Sequence, residues 1–196
     1  MAYLGNVPKK VSLTASSSFE FSGILSTLRS TRGVAFPYTP TIQVGHAASY
    51  GTYETTHSVY QPNYWISTRN PTISITAQFT AQTAEEADYA AAALHFFKSA
   101  TKGEFGRQSG NPGAPPPVLN FSAYGSLHME NTPVVLGSFS YVLPEDIDMV
   151  NTAYGQIPAM FLCSLELMPQ YAPEDVKNNF TASGYRNGSA LNRGFM

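Results

Sequence analysis

Charge is scarce in this chain. Of 196 residues only 12% are Asp, Glu, Lys or Arg, roughly half the share of an average soluble domain. Lys and Arg number 11 against 13 Asp and Glu, for a formal net charge of −2. That balance excludes the basic footprint with which proteins grip nucleic acid, although a polymer that merely passes through a pore needs none. Cysteine is nearly absent too: the single Cys163 rules out an intrachain disulfide framework, and within its apolar run it reads as a small buried side chain. Long apolar runs are missing. The longest, Ala90 to Phe97, contains His95 and falls far short of the ~20 residues of a membrane-crossing helix. Met1 to Lys10 places its lysines after Pro8 with no apolar core following, so no secretory signal is expected and a soluble, cytoplasmically made protein is.

Recognisable catalytic patterns are lacking as well. There is no Gly-x-Ser-x-Gly elbow, no Walker loop, no His-Glu-x-x-His and no dinucleotide-binding glycine pattern. His46, His57 and Glu54 are the residue types of a zinc or iron set. Residues 54 and 57, however, are separated by an odd number, which on a regular strand turns them to opposite faces. His95 reads as a packed or edge residue of a helix, and His128 as a turn residue with no nucleophile beside it. Glu85-Glu86 fits the negatively charged start of a helix. Asp146 and Asp148 fit a solvated corner better than a glycosidase pair. The sequons Asn179-Phe180-Thr181 and Asn187-Gly188-Ser189 carry little weight without a secretory signal. The expectation is a protein with no catalytic, metal or cofactor site.

Aromatic residues, by contrast, make up 13% of the chain. Scarce charge with abundant Tyr, Phe and Trp is the composition of surfaces covered by neighbours; a neutral, Ser/Thr-rich secreted β-protein has similar statistics. The length suits one core with arms. Residues 1–40 read as an N-terminal arm, in which Phe19-Glu20-Phe21-Ser22 suggests a short strand and Ile24, Leu25 and Leu28 a helical turn. Residues 41–172 read as the β domain. It would open with a hairpin, Ile42 to Ala47 and Tyr53 to Tyr60, turning at Ser49-Tyr50-Gly51. In the next segment Ile73, Ile75, Ala77 and Phe79 alternate with Ser74, Thr76, Gln78 and Thr80, the period of a half-buried strand. Thr83 with Glu86 then forms a capping box, and a helix over about 83–102 repeats Ala84, Ala87, Ala91, Leu94 and Lys98 at helical spacing, with Ala90 and Phe97 widening the stripe. Gly103 to Pro117, crowded with glycine and proline, is an exposed loop. Three strands follow at Val118 to Tyr124, Val134 to Leu143 and Ile157 to Leu167, and 173–196 reads as a C-terminal arm. Strands interrupted by one packed helix imply a mainly β fold, a β-sandwich or partial barrel with a helix over one opening.

Two segments carry candidate contact residues. In Gly33-Val34-Ala35-Phe36-Pro37-Tyr38-Thr39-Pro40-Thr41-Ile42 the prolines hold Phe36 and Thr39 out of the helical region. The result is a pre-ordered extended arm whose Phe36, Pro37, Tyr38 and Pro40 dock at little entropic cost, against a neighbouring subunit or the chain's own core. Tyr60-Gln61-Pro62-Asn63-Tyr64-Trp65 clusters Tyr60, Tyr64 and Trp65, which suits either a subunit interface or stacking on a sugar.

The first of these segments, preceded by Leu28-Arg29-Ser30-Thr31-Arg32, resembles the baseplate-proximal tail-tube family of contractile-tailed bacteriophages, the tube initiators or tail tube caps. A fainter likeness runs through Leu143-Pro144-Glu145-Asp146. The resemblance implies a structural virion protein, not an enzyme. It would be a homo-oligomer forming a sixfold ring whose strands join into a lumen barrel, at the junction between baseplate hub proteins below and tail-tube subunits above. DNA would pass through the lumen without specific binding, and no membrane would be involved. The protein would be assembled in the host cytoplasm and located in the virion. The repeating tail-tube subunit shares that fold and is the nearest alternative; a carbohydrate-binding β-sandwich is the alternative of another class.

Overall fold

A computed structural model describes residues 11–16, 19–105, 112–125 and 128–196. The readings of Met1 to Lys10, and of 106–111 within the Gly/Pro loop, fall outside them. Strands β1 (Ser12–Ala15), β2 (Gly33–Ala35), β3 (Thr41–Thr52), β4 (Asn63–Thr80), β5 (Leu119–Gly125), β6 (Met129–Val142) and β9 (Met160–Pro169) form one antiparallel sheet. Its order is β2-β1-β5-β6-β9-β4-β3. Two further strands, β7 (Met149–Thr152) and β8 (Gly155–Pro158), make a separate ribbon. The fold is therefore mainly β with one long packed helix, α1 (Ala84–Ala100). The layer facing the large sheet consists of α1, a 3-10 turn at Gly23–Leu28 and the β7–β8 ribbon, in place of a second full sheet.

Alternation decides which side of the sheet meets that layer. Ile73, Ile75, Ala77 and Phe79 of β4 are buried, and so are Phe161, Cys163, Leu165 and Leu167 of β9. Between them Phe79 and Phe161 stack with ring centroids 5.1 Å apart. Thr83 caps α1: its side chain accepts from the Glu86 amide at 3.3 Å, while Glu86 Oε2 accepts from the Gln82 amide at 3.0 Å. One of the donors a helix start leaves unpaired, the Glu86 amide, is thereby satisfied, while Glu86 reaches past Thr83 to the amide that precedes the cap. The buried surface of α1 is broader than the stripe read from sequence, since Tyr89, Ala92, Ala93 and Phe96 are buried as well. The helix is covered from more than one side, by the sheet and by the 3-10 turn and ribbon.

Residues 12–16 and 19–36, read from sequence within an arm, lie in the body of the fold. Leu13 and Ala15 point inward, and Leu25, Leu28, Val34 and Phe36 join the same core. The leucine turn forms as expected, but Phe19 to Ser22 is not a strand. Those two phenylalanines pack on the helix instead, each within ring-contact distance of Phe96. Gly33 pairs with Thr14 at positive φ, where any Cβ would strike the Leu13 carbonyl oxygen. Only glycine lets β1 and β2 approach this closely.

The C-terminal residues hold on at their ends. Helix α2 (Pro173–Asn179) buries no residue, whereas Ala190, Gly194 and Phe195 are buried. Tyr171 clasps the last turn: its hydroxyl donates to the Gly194 carbonyl at 3.0 Å and accepts from the Met196 amide at 3.2 Å.

Candidate assembly surfaces

The hairpin is longer than the sequence reading and turns elsewhere. Strand β3 runs straight through Ser49-Tyr50-Gly51 to Thr52, and the chain reverses over 53–62, where the Tyr53 amide donates to the Pro62 carbonyl at 3.0 Å. Tyr53 to Tyr60, expected as the returning strand, is that connection, and the return is the first half of β4. Gly51 serves contact rather than turning: a Cβ there would lie 2.5 Å from Cζ of Tyr64. The phenol lies across the glycine, a second way in which glycine permits close approach.

Beyond the Gly45–Thr72 pair this hairpin leaves the body of the domain. Every residue of β4 from Asn63 to Asn70 is exposed, where the same strand from Pro71 onward buries alternate residues. The ladder slips between Gly45 and Ala47, whose partners are Thr72 and Arg69, and again between Ser49 and Tyr50. Such bulges bend and twist a ribbon. Pro71, in the first of them, sits where a missing amide disturbs the ladder least. Among the described residues no other strand pairs with β4 before Ile73. The ribbon so projected carries Tyr60 at 83% exposure, Trp65 at 60% and Tyr64 at 41%. Tyr50, Tyr53, Val59 and Ile66 are also exposed, and the rings of Tyr53 and Tyr64 lie 4.5 Å apart. Over positions 45–70 Glu54 and Arg69 are its two formal charges. A two-stranded ribbon without a core is marginal in water, and its exposed aromatic side chains are of the types that contact surfaces favour.

The proline-containing segment divides between inside and outside. Phe36 is 2% exposed and packs among Phe79 and Phe97, and Pro40 is buried. The chain just before them is clamped to α1, since the Tyr89 hydroxyl donates to the Ala35 carbonyl and accepts from the Ala35 amide, both at 2.8 Å. Phe36 and Pro40 thus follow the core-docking half of the expectation and offer no side chain to a neighbour. Tyr38 remains outside at 54% exposure, its hydroxyl 2.9 Å from Thr80 Oγ1, with Pro37 half-buried beside it.

A third surface is the sheet face turned away from α1. The ladder aligns Thr41, Thr76, Ser164 and Ser140 across β3, β4, β9 and β6, and next to them Gln43, Ser74, Glu166 and Ser138. All eight are exposed. One is charged, Glu166, whose Oε2 accepts from Ser138 Oγ at 3.3 Å. Sequence reading did not assign this face, although the Ser/Thr positions alternating with Ile73, Ile75 and Phe79 were its signal.

The groups examined for chemistry are scattered. His46 lies on β3, while Glu54 and His57 lie in the connection, where His57 adopts φ 63°. Among the described residues no three of His, Cys, Asp and Glu gather into a metal-binding group. His95 is exposed on α1, and His128 stands edge-on to the Tyr124 ring at 6.0 Å. Glu86 is occupied in the helix cap, and Asp146 and Asp148 are exposed in a corner outside the strands. Burial pushes the Cys163 thiol up to about 12, which leaves it without reactive thiolate at neutral pH. A cavity of about 330 Å³ between the root of the hairpin and the C-terminal turn is lined by Val44, His46, Met129, Tyr185 and Met196 among others. No helix among the described residues is long and apolar enough to cross a membrane.

No family model and no curated protein matches the chain. Among solved structures it is similar to a chain of one described as "Tail of empty GTA particle computed with helical refinement, C6 symmetry", at 11% identity and a TM-score of 0.36, over 84% of this chain and 92% of that one. A likeness of that TM-score carries no argument about function.

Proposed function

We propose that this chain is a non-enzymatic structural protein of a phage-type tail, assembling head-to-tail into a sixfold ring at the junction of baseplate hub and tail tube. The observation that carries this reading is the projecting hairpin: aromatic, nearly uncharged and, among the described residues, uncovered on both faces. Tyr60, Tyr64 and Trp65 act there as the anchors of a subunit contact, as large aromatic side chains do at the centre of interfaces. The proline-containing segment that resembles the tube-initiator family supports the same role, with Tyr38 and Pro37 as its outward part. Contacts between unlike surfaces of identical chains close into rings when the rotation allows. One side of the ring would meet the hub, and the other would present loops and strand ends to the tube.

The repeating tube subunit is the second reading, favoured by a specific observation. At the end of the sheet opposite the hairpin Val142, Leu143 and Leu162 are exposed, an apolar surface on which a further copy could stack. Electron microscopy of the purified, concentrated protein, with particle mass measured in parallel, separates the readings. Closed sixfold rings are the expected result, and long open tubes would transfer the assignment to the repeating subunit. Monomers that never assemble, alone or with hub extract, yet bind glycans through Trp65 would replace both with a sugar-binding domain.

A further inference from the structure

We infer that the end of the sheet where β5 turns into β6 holds a binding subsite for an uncharged hexose. Tyr124 is its stacking platform, and Glu130 and Asn131 are its hydrogen-bonding groups. A cavity of about 320 Å³ opens there, lined by Ser12, Ser122, Tyr124, Met129, Glu130 and Asn131 among others. Local backbone geometry builds it. Ala123, Tyr124 and Gly125 all register against Met129, an irregularity of the kind that re-aims side chains. Tyr124 and Asn131 hold φ of 58° and 52°, in the left-handed region that Asn tolerates and a bulky tyrosine rarely enters. Backbone outliers of that kind collect at ligand sites.

The side chains around the cavity have unspent hydrogen-bonding capacity. Ser122 Oγ accepts from the Asn131 backbone amide at 3.0 Å and lies 3.4 Å from Asn131 Oδ1. That contact holds Asn131 in place and leaves its Nδ2 donors without a partner among the described residues. Glu130, half-buried, makes no hydrogen bond or ion pair among them either. Tyr124 is 49% exposed, and the edge-on contact with His128 steadies its ring. This set matches a pyranose. The C–H face of a sugar ring packs on an aromatic side chain, a carboxylate accepts from two neighbouring hydroxyls, and an amide nitrogen and a serine hydroxyl donate to others. No lysine or arginine is among the described residues that line the cavity. An acidic or phosphorylated ligand would therefore meet the Glu130 carboxylate with nothing to offset the like charge.

The test is saturation-transfer NMR on the full chain, with glucose, galactose and N-acetylglucosamine as probes and glucuronate as the charged comparison. At least one hexose is expected to bind with a dissociation constant of about 1 mM, the scale for a ligand of its size, with transfer strongest to the protons of one ring face. Glu130→Gln and Asn131→Gly are each expected to weaken that binding about fivefold or more. Glu130→Gln keeps the shape of the side chain, and glycine suits a φ of 52°, so neither variant disturbs the turn. Trp65→Ala, on the separate hairpin cluster, is expected to change nothing. Absence of transfer to every hexose at about 10 mM would overturn the inference. So would binding that Trp65→Ala abolishes and Glu130→Gln spares, which moves the sugar to the hairpin, or glucuronate bound at least as tightly as any of the hexoses. The subsite belongs to the single chain, so these outcomes are independent of whether rings form.

Discussion

Residues 63–70 and 71–80 are consecutive halves of one strand, both paired to β3, yet they obey different rules. The inner half is flanked by β9 as well and alternates buried with exposed residues. The outer half has one neighbour and no inside, although Tyr64-Trp65-Ile66 is its most apolar stretch. Hydrophobicity therefore says that a residue is to be covered, not by which molecule. In the inner half the chain covers itself. In the outer half no described part of the chain does so, and on the proposed ring reading the covering surface belongs to another molecule.

The largest expected contrast comes from truncating one aromatic in each half. Phe79→Ala removes a fully buried ring stacked on Phe161, and the cavity costs about 3–5 kcal/mol. Urea or thermal unfolding of the monomer measures that loss, and a change under about 1 kcal/mol would mean the packing at Phe79 is not a true core. Trp65→Ala is expected to leave monomer unfolding within about 0.5 kcal/mol, because the side chain is 60% exposed. Its effect falls on association: a central aromatic anchor is worth about 2 kcal/mol or more, roughly a thirtyfold rise in the concentration needed for assembly. An unchanged assembly threshold would remove the hairpin from the interface.

The same two halves show what sequence can and cannot reveal. Ile73 to Phe79 was legible because burial imposes a period of two, and Thr83 with Glu86 because capping is local chemistry. The three later strands fell within a few residues of their places for the first reason. The outer half had no period to read, since neither of its faces is buried, and its turn was misplaced to Ser49-Tyr50-Gly51. Glycine there signalled a ring lying across the backbone rather than a reversal, which depends on Tyr64, a residue thirteen positions on. Strand β1 escaped because four residues are too few to show a pattern, and only pairing with Gly33 and Asn120 makes them a strand. Tyr60, Tyr64 and Trp65 were legible as a cluster. That Phe36 turns inward was not, because an extended arm presents its side chains equally well to either side.

Gly51→Ala probes the outer half more gently. Its new methyl would displace the Tyr64 ring, which has room to swing outward, so monomer stability shifts by about 1 kcal/mol or less. The expected signature is faster amide exchange confined to the hairpin, together with a weaker assembly response than Trp65→Ala gives. Exchange that accelerates throughout the sheet would show that hairpin and body unfold as one unit.

The smallest effect on global stability is expected where the chain covers itself only with its tail. Burial holds the Tyr171 phenol up at about 12 against an ordinary 10, so the docked tail binds that proton more tightly than the free chain does. Docking is therefore intact below pH 10 and is withdrawn as the pH rises from 10 through about 12, because a phenolate cannot donate to the Gly194 carbonyl. Limited proteolysis should begin to cut within 173–196 over that window, while the body of the sheet stays protected. Tyr171→Phe loses both hydrogen bonds at every pH, and at neutral pH its tail should be cut as the wild-type tail is in alkali, with global unfolding moved by no more than about 1 kcal/mol. A Tyr171→Phe tail as resistant as wild type would assign the clasp to the Phe195 contacts instead. The tail would then be a self-covered apolar element like the inner half of β4, only shorter.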